Sequence, residues 1–253
     1  MNRRTIFHEA TSILRRGLGD KNAKNYYVQN GSQRRLAITD IHGSFQTFSK
    51  LLEKIKLEKK DQLFILGDSI NRAPYSLYVL ELIAELICNG FKIYPLRGNH
   101  EHLFLEFQKS DTPKLNMMAK RQYSEHVLED GEIPKAIRKF IQSWPYYYET
   151  ESELLVHAGF QTDTQNPLES WHDMLWIREF KYDSKKLKGK RVIHGHVPTS
   201  IELIEEAVAL KANVIKLDNG CIRAGIKGFG SLLCLDLDKM ELTKKKNIDF
   251  VPA

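Results

Sequence analysis

Residues 36–43 read Leu-Ala-Ile-Thr-Asp-Ile-His-Gly, a short apolar run that ends in an aspartate, a histidine and a glycine. Four further apolar runs end in the same kind of residue. The five polar endings are Asp40-Ile41-His42-Gly43, Gly67-Asp68-Ser69-Ile70-Asn71-Arg72, Arg97-Gly98-Asn99-His100-Glu101, His157-Ala158-Gly159 and His194-Gly195-His196. Short apolar runs bounded by turn residues are typical of buried strands. Because open α/β sheets bind ligands beyond the carboxyl ends of their strands, the sequence predicts that the five endings meet in one site.

The side chains in these endings indicate metal and phosphate chemistry. Aspartate, histidine and asparagine offer oxygen and nitrogen ligands, which suit manganese, iron, zinc or cobalt better than calcium or a metal that prefers thiolates. Two such ions about 3.5 to 4 Å apart can share a carboxylate, activate a water and neutralise phosphoryl oxygens. Arginine adds a permanent charge on a planar group that binds phosphate oxygens in pairs.

The five motifs resemble those of the phosphoprotein phosphatase branch of the calcineurin-like metallophosphoesterases, over roughly residues 36–235. The family pattern is DxHG, GDxxDR, GNHE, HAG and GH, and the chain matches every block with one substitution. The resemblance implies an α/β metallophosphoesterase fold, in which a central β-sandwich is flanked by helices and a dimetal site lies at the strand ends. It also implies two divalent ions, manganese first, with iron, zinc, cobalt or nickel as alternatives. The implied metal ligands are Asp40, His42 and the bridging Asp68 for the first ion, and Asn99, His157 and His196 for the second.

The same resemblance assigns catalytic roles. His100 would protonate the leaving group, and a hydroxide that bridges the metals would attack phosphorus in line. Arg72, Arg97 and Arg178 would surround the phosphate. His196, rather than His194, is the implied ligand because the family's histidine follows the glycine.

Asn71 is the one substitution, at a position where the family usually has an aspartate that hydrogen-bonds the catalytic histidine. An amide keeps the hydrogen bond but loses the charge that stabilises imidazolium. We expect a lower pKa for His100 than in relatives with aspartate, and a shifted rate profile. The alternative is that a nearby carboxylate such as Glu101 compensates.

Composition and charge narrow the class of protein. The chain has 253 residues, of which 42% are hydrophobic, as expected for one α/β domain. Residues 1–35 carry the whole formal excess of +6, and the remainder is balanced, which argues against a general nucleic-acid binder. Three cysteines, no signal peptide and no long apolar stretch predict a cytoplasmic protein without a transmembrane segment. The basic runs 185–191 and 244–246 are typical of solvated loops.

The predicted organisation is a basic N-terminal helix and linker over residues 1–33, followed by a catalytic domain over 34–253. Apolar residues at helical spacing after a possible Thr5 cap predict the N-terminal helix, which would dock on the body of the protein, on a partner or on a membrane surface. Residues 21–33 have the composition of a linker. Residues 45–55 and 74–88 predict helices that complete a βαβαβα first half. Residues 109–143, with a helix over 134–142, are predicted to form a cap insertion beside the site.

The motifs and the family resemblance together predict a metal-dependent phosphomonoesterase. Its expected substrates are phosphoserine or phosphothreonine, and aryl phosphates. Its partners would be phosphorylated proteins or small phosphoesters, without nucleic acid. Pro198 occupies the position where diesterases of the superfamily commonly have a further histidine, so a diesterase is disfavoured. A dinucleoside polyphosphate hydrolase and a binding protein without turnover are the alternatives.

Overall fold

Two five-stranded β-sheets form the centre of the computed structural model, which describes residues 2–17, 25–31, 33–107 and 133–249. The strands are β1 Asn25–Tyr27, β2 Arg35–Ile38, β3 Gln62–Ile65, β4 Lys92–Pro95, β5 Tyr147–Glu149, β6 Glu153–Val156, β7 Arg191–His194, β8 Val214–Lys216, β9 Ser231–Asp236 and β10 Glu241–Lys246. The helices are α1 Arg3–Gly17, α2 Phe45–Ile55, α3 Ser76–Cys88, α4 Asn99–Phe107, α5 Lys135–Gln142, α6 Trp171–Trp176 and α7 Ile201–Ala209.

The first sheet, here sheet I, has the strand order β10-β9-β2-β3-β4. Its strands β2, β3 and β4 are parallel, and helices α2 and α3 connect them. This confirms the predicted βαβαβα first half, and α2 has the predicted bounds. Strands β9 and β10 form an antiparallel hairpin beside β2.

The second sheet, here sheet II, has the order β1-β5-β6-β7-β8 and faces sheet I. One apolar cluster joins the two inner faces, with Ala37 and Phe64 from sheet I against Leu155 and Ile193 from sheet II. Arg35 of β2 also reaches across to Glu153 of β6, with 2.6 Å between nitrogen and oxygen. The predicted sandwich with flanking helices is therefore confirmed.

A second apolar cluster lies on the other face of sheet I, beneath helices α1, α2, α3 and α5. Helix α1 contributes the buried residues Phe7 and Ala10 and packs against α3 and α5. It begins at Arg3, and the side chain of Asn2 accepts a hydrogen bond from Thr5 N at 2.9 Å. The proposed Thr5 cap is therefore wrong by three residues.

Two segments differ from expectation. Residues 25–27, in the predicted linker, form β1 through pairing with β5, more than a hundred residues away, which no local pattern reveals. Residues 244–246, predicted as a solvated loop, belong to the edge strand β10. Lysines are common on edge strands because they discourage pairing with other chains.

The predicted cap insertion is described only in part. Residues 108–132 lie outside the described residues, whereas the helix predicted over 134–142 is confirmed as α5. None of the helices in the described part of the chain is long and apolar enough to cross a membrane.

Candidate metallophosphatase site

Each predicted motif begins within four residues of the end of a strand. Asp40 follows β2, Asp68 follows β3 and Asn99 opens α4 after β4. On sheet II, His157 follows β6 directly and His196 follows β7 by two residues. The two sheets therefore deliver their polar loops to the same end of the sandwich.

The first group of ligand candidates surrounds one side of Asp68. The Asn99 Oδ1 atom lies 2.9 Å from His157 Nε2 and 3.2 Å from His196 Nδ1. His157 Nε2 is 3.5 Å from Asp68 Oδ1. Ligand atoms of Asp68, His157 and His196 all lie within 4.8 Å of one another, which is a spacing that one ion can bridge.

The second group surrounds the other carboxylate oxygen of Asp68. His42 Nε2 lies 3.7 Å from Asp68 Oδ2 and 3.8 Å from Asp40 Oδ1. His100 Nε2 is 3.9 Å from Asp68 Oδ2, so the predicted proton donor borders the same space. Asp68 is thus shared by both groups, as a bridging ligand must be.

The loops that carry these side chains have unusual backbone conformations. Asp40, His42, Asp68 and His196 have φ values of 51°, 50°, 49° and 67°, in the left-handed region. Such residues cost on the order of 1–3 kcal/mol each and persist only where their surroundings hold them. Here the surroundings include a hydrogen bond from His42 N to Asp68 O at 2.8 Å.

Gly195 allows the last motif to approach the first. A Cβ atom at this position would overlap the side chains of Thr39 and Asp40. The Asp40 carboxylate accepts hydrogen bonds from the Thr39 hydroxyl and from His196 N, the latter at 3.1 Å. Only glycine fits between the histidines of this motif.

Glu101 connects two of the loops through hydrogen bonds to their backbone. Its Oε2 atom accepts hydrogen bonds from Gly98 N at 2.8 Å and Asp68 N at 2.9 Å. Its Oε1 atom accepts from Ser69 N at 2.8 Å and Ile70 N at 3.2 Å. Both oxygens therefore accept hydrogen bonds from backbone donors, and the alternative that a nearby carboxylate such as Glu101 compensates for Asn71 stays a prediction.

Asn71 contacts the ring of His100 directly. Its amide nitrogen lies 3.0 Å from His100 Nδ1, and the backbone of Asn71 is also left-handed. In the neutral ring, an N–H donor on Asn71 makes Nδ1 the acceptor and places the ring proton on Nε2, which faces the site. When the ring is protonated, the amide can turn so that its oxygen accepts from Nδ1. The substitution therefore preserves the orientation of the ring.

Burial shifts the pKa values of the carboxylates and histidines in the site away from their usual ranges. Burial, followed by the charge of Asp218, raises the pKa of Asp40 well above its usual range, and burial followed by Glu101 does the same to the pKa of Asp68. Burial lowers the pKa of His42 and of His196 to about 4. Cations that stabilise carboxylates and bind neutral imidazoles would correct both tendencies, so the donor set fits divalent metals.

A cleft of about 220 Å³ opens over this cluster. Arg72 and Arg178 line it, and within the described residues neither guanidinium has a hydrogen bond or ion pair, so both are available to a phosphate. Arg97 does not reach it. Its guanidinium donates to Gln142 O at 2.9 Å and to Tyr146 Oη at 3.0 Å, and lies 4.9 Å from the centre of the Tyr146 ring.

Two charged residues that the motifs did not indicate also line the cleft, Asp218 and Arg223. Burial raises the pKa of Asp218 to about 6. The sequence showed only that Asp218-Asn219-Gly220-Cys221 is similar to a late loop of the family. His194 lies outside both ligand groups, with its ring 5.6 Å from that of Phe180.

The family assignment rests on a match between residues 34–249 and the calcineurin-like phosphoesterases. The chain belongs to the calcineurin-like phosphoesterase family. The phosphatase names of its relatives support the predicted metallophosphatase, and the ligand groups are consistent with metal binding.

Two similar proteins and one solved structure illustrate what the chain resembles. A symmetrical bis(5'-nucleosyl)-tetraphosphatase of Nitrosospira multiformis is 40% identical over 84 residues, which is 30% of this chain and 30% of that protein. Serine/threonine-protein phosphatase 1 of Salmonella typhimurium is 27% identical over 150 residues, 56% of this chain and 67% of that protein. A solved serine/threonine phosphatase structure from Saccharomyces cerevisiae has a TM-score of 0.63 at 16% identity, over 99% of this chain and 90% of that one, which shows the shared fold.

Proposed function

We propose that the chain hydrolyses phosphate monoesters, with phosphoserine and phosphothreonine residues of proteins as substrates and aryl phosphates as further substrates. The observation that supports this most strongly is the convergence of both ligand groups beneath a cleft with two free arginines, Arg72 and Arg178. The cleft is small and its base is polar, which suits a phosphoryl group. Pro198 lines the cleft at the position where a diesterase would have a histidine.

Two divalent ions fit the donor set, with manganese proposed first. When bound, they would supply Lewis-acid stabilisation of the phosphoryl oxygens and lower the pKa of water. The residues that would hold them are Asp40, His42 and Asp68 on one side, and Asp68, Asn99, His157 and His196 on the other.

The side chains of the protein perform the remaining tasks. Arg72 and Arg178 bind and orient the phosphate through charge-assisted hydrogen bonds. His100 holds a proton on Nε2 and delivers it to the departing alkoxide oxygen. Asn71 holds the other ring nitrogen and so aims Nε2 at the substrate.

A second candidate is the hydrolysis of dinucleoside polyphosphates. The tetraphosphatase of Nitrosospira multiformis favours it, because its matched segment, 30% of each chain, is 40% identical, against 27% for the Salmonella typhimurium phosphatase. The binding protein without turnover is the least supported alternative, since Asn71 still contacts His100.

A substrate panel separates these candidates. The protein is assayed with manganese, cobalt, nickel, zinc and magnesium against p-nitrophenyl phosphate, phosphoserine and phosphothreonine peptides, and diadenosine tetraphosphate. Asp68→Asn serves as the inactive control. We expect turnover of the first two substrate types with manganese. Turnover of diadenosine tetraphosphate alone would replace the proposal with the second candidate, and metal binding without any turnover would replace it with a binding function.

A further inference from the structure

A second cavity adjoins the catalytic cleft. It is a groove of about 780 Å³, and Arg178 and Pro198 line both the groove and the cleft. A molecule whose phosphate is held by Arg178 can therefore extend directly into the groove. The apolar part of its lining consists of Phe180, Val197, Leu203, Ala207, Val214 and Phe229.

One wall of the groove comes from the edge strand β8, which pairs only with β7 among the described strands. Val192 N donates to Asn213 O at 2.8 Å, and Leu217 N donates to His194 O at 2.6 Å. In a parallel ladder alternate residues face the neighbouring strand, so Val214 and Lys216 direct their backbone groups to the open edge. Both residues also line the groove.

The opposite wall is aliphatic and solvent-exposed. Leu203 of α7 has 59% of its surface exposed, although it is a large apolar residue, and Ala207 lies one turn further along the helix. Exposed apolar surface beside a catalytic cleft indicates a binding surface. An apolar side chain of a bound molecule would remove Leu203 from water.

The aromatic residues of the groove are already engaged. The ring of Phe180 packs against His194 at 5.6 Å between centroids, and the guanidinium of Arg223 lies 5.8 Å from the centre of the Phe229 ring. Nucleobases are commonly bound by stacking on an aromatic face. An open strand edge and an aliphatic wall instead suit an extended peptide, whose backbone pairs with the edge while its side chains enter pockets.

We infer that the groove binds the peptide segment that flanks the phosphorylated residue, laid along β8 with an apolar side chain against Leu203 and Ala207. This inference rests on the proposed phosphoprotein phosphatase function. The groove would then determine which phosphopeptides bind well, and the cleft would carry out the hydrolysis. The enzyme should therefore prefer phosphopeptides that have apolar residues next to the phosphoresidue.

The test compares Leu203→Asp with a matched control, Leu210→Asp. Leu210 follows the same helix, is 72% exposed and does not line the groove. Each variant and the parent are assayed with two phosphoserine peptides, one with valine and leucine flanks and one with glycine flanks, and with p-nitrophenyl phosphate. Binding of a non-hydrolysable phosphonate analogue of the first peptide is measured by fluorescence anisotropy.

We expect the parent to prefer the apolar-flanked peptide. In Leu203→Asp, kcat/KM for this peptide and affinity for its analogue should fall about five- to tenfold, as expected for partial loss of leucine burial. Values for the glycine-flanked peptide and for p-nitrophenyl phosphate should stay within about twofold of the parent, and Leu210→Asp should match the parent throughout.

Several results would overturn the inference. Equal behaviour of the two variants, or no preference of the parent for apolar flanks, would show that the groove does not bind the peptide. A loss in Leu203→Asp that is confined to diadenosine tetraphosphate, included as a further substrate, would assign the groove to a nucleoside. Absence of phosphopeptide turnover by the parent would contradict the proposed function itself, and p-nitrophenyl phosphate turnover would show that the cleft is still active.

Discussion

The catalytic cleft and the groove beside it are built in opposite ways, although they share Arg178 and Pro198. The cleft is lined by buried polar side chains on left-handed loops, held by hydrogen bonds such as those to Glu101. More than half of the residues that line the groove are apolar, aliphatic or aromatic, and none of its lining residues has a positive φ. Chemistry requires atoms at fixed positions, whereas selection of a flanking peptide requires only an apolar surface of suitable shape. The two regions should therefore respond differently to substitution.

The largest effect should follow the loss of His100. His100→Asn should lower kcat for a phosphoserine peptide by about 10²–10⁴-fold, the usual contribution of a general acid. The loss for p-nitrophenyl phosphate should be smaller, because nitrophenolate leaves without full protonation. Steady-state kinetics on both substrates measure the difference. Equal losses on the two substrates would remove His100 from the role of proton donor.

Glu101→Gln should have the next largest effect. Its side-chain amide would place an N–H group against backbone N–H donors that now share a carboxylate, and both loops would shift. We expect a roughly 10–100-fold loss of activity or of manganese affinity, as for other residues that orient metal ligands. Glu53→Gln, on an exposed position of α2, is the control. Parent-like activity in Glu101→Gln would show that the loops hold their shape without this brace.

Arg178 and Arg97 provide a direct contrast within the predicted phosphate-binding set. Arg178→Ala should lower kcat/KM by about 10–100-fold, the equivalent of one or two charged hydrogen bonds. Arg97→Ala should leave kcat/KM within about threefold but lower the free energy of unfolding by about 1–3 kcal/mol, since Gln142 O and Tyr146 Oη lose their donor. Kinetics and urea unfolding measure both. A large kinetic loss in Arg97→Ala with unchanged stability would show that Arg97 acts on the bound phosphate.

Asn71→Asp should change pH dependence more than peak rate. Burial, followed by the charges of His42 and Arg72, lowers the pKa of His100, and an adjacent carboxylate should raise it by about one to three units. Protonated His100 is the donor, so activity falls as pH rises through this pKa. The descending limb of the kcat profile should therefore move to higher pH in the variant. Superimposable profiles for Asn71→Asp and the parent would show that Asn71 does not determine the pKa of His100.

Local patterns predicted most of the cleft. Each motif follows a short apolar strand, and parallel strands of one sheet end at the same edge, so the motifs within each sheet were expected to lie close together. The helix over residues 45–55 was predicted to its exact bounds because its apolar residues fall at strict helical spacing. The two sheets with their flanking helices confirm the predicted class of fold.

Features that depend on distant contacts could not be predicted in this way. Arg97 stands beside a ligand motif, but its direction is determined by Gln142 and Tyr146, more than forty residues away. Arg223 follows a recognisable loop, yet only the folded chain shows that it reaches the cleft. The groove combines α7, β8, the segment after α6 and the loop after β7, and of its lining the sequence had indicated only Arg178 and Pro198.

The most direct test of the metal centre is the stoichiometry of manganese binding, measured by isothermal titration calorimetry on the metal-free parent and on Asp68→Asn. Because Asp68 is shared by both ligand groups, we predict two ions per chain in the parent and the loss of high-affinity binding at both positions in the variant. A parent that binds no manganese, or a variant that binds two ions as tightly as the parent, would contradict the shared two-metal site.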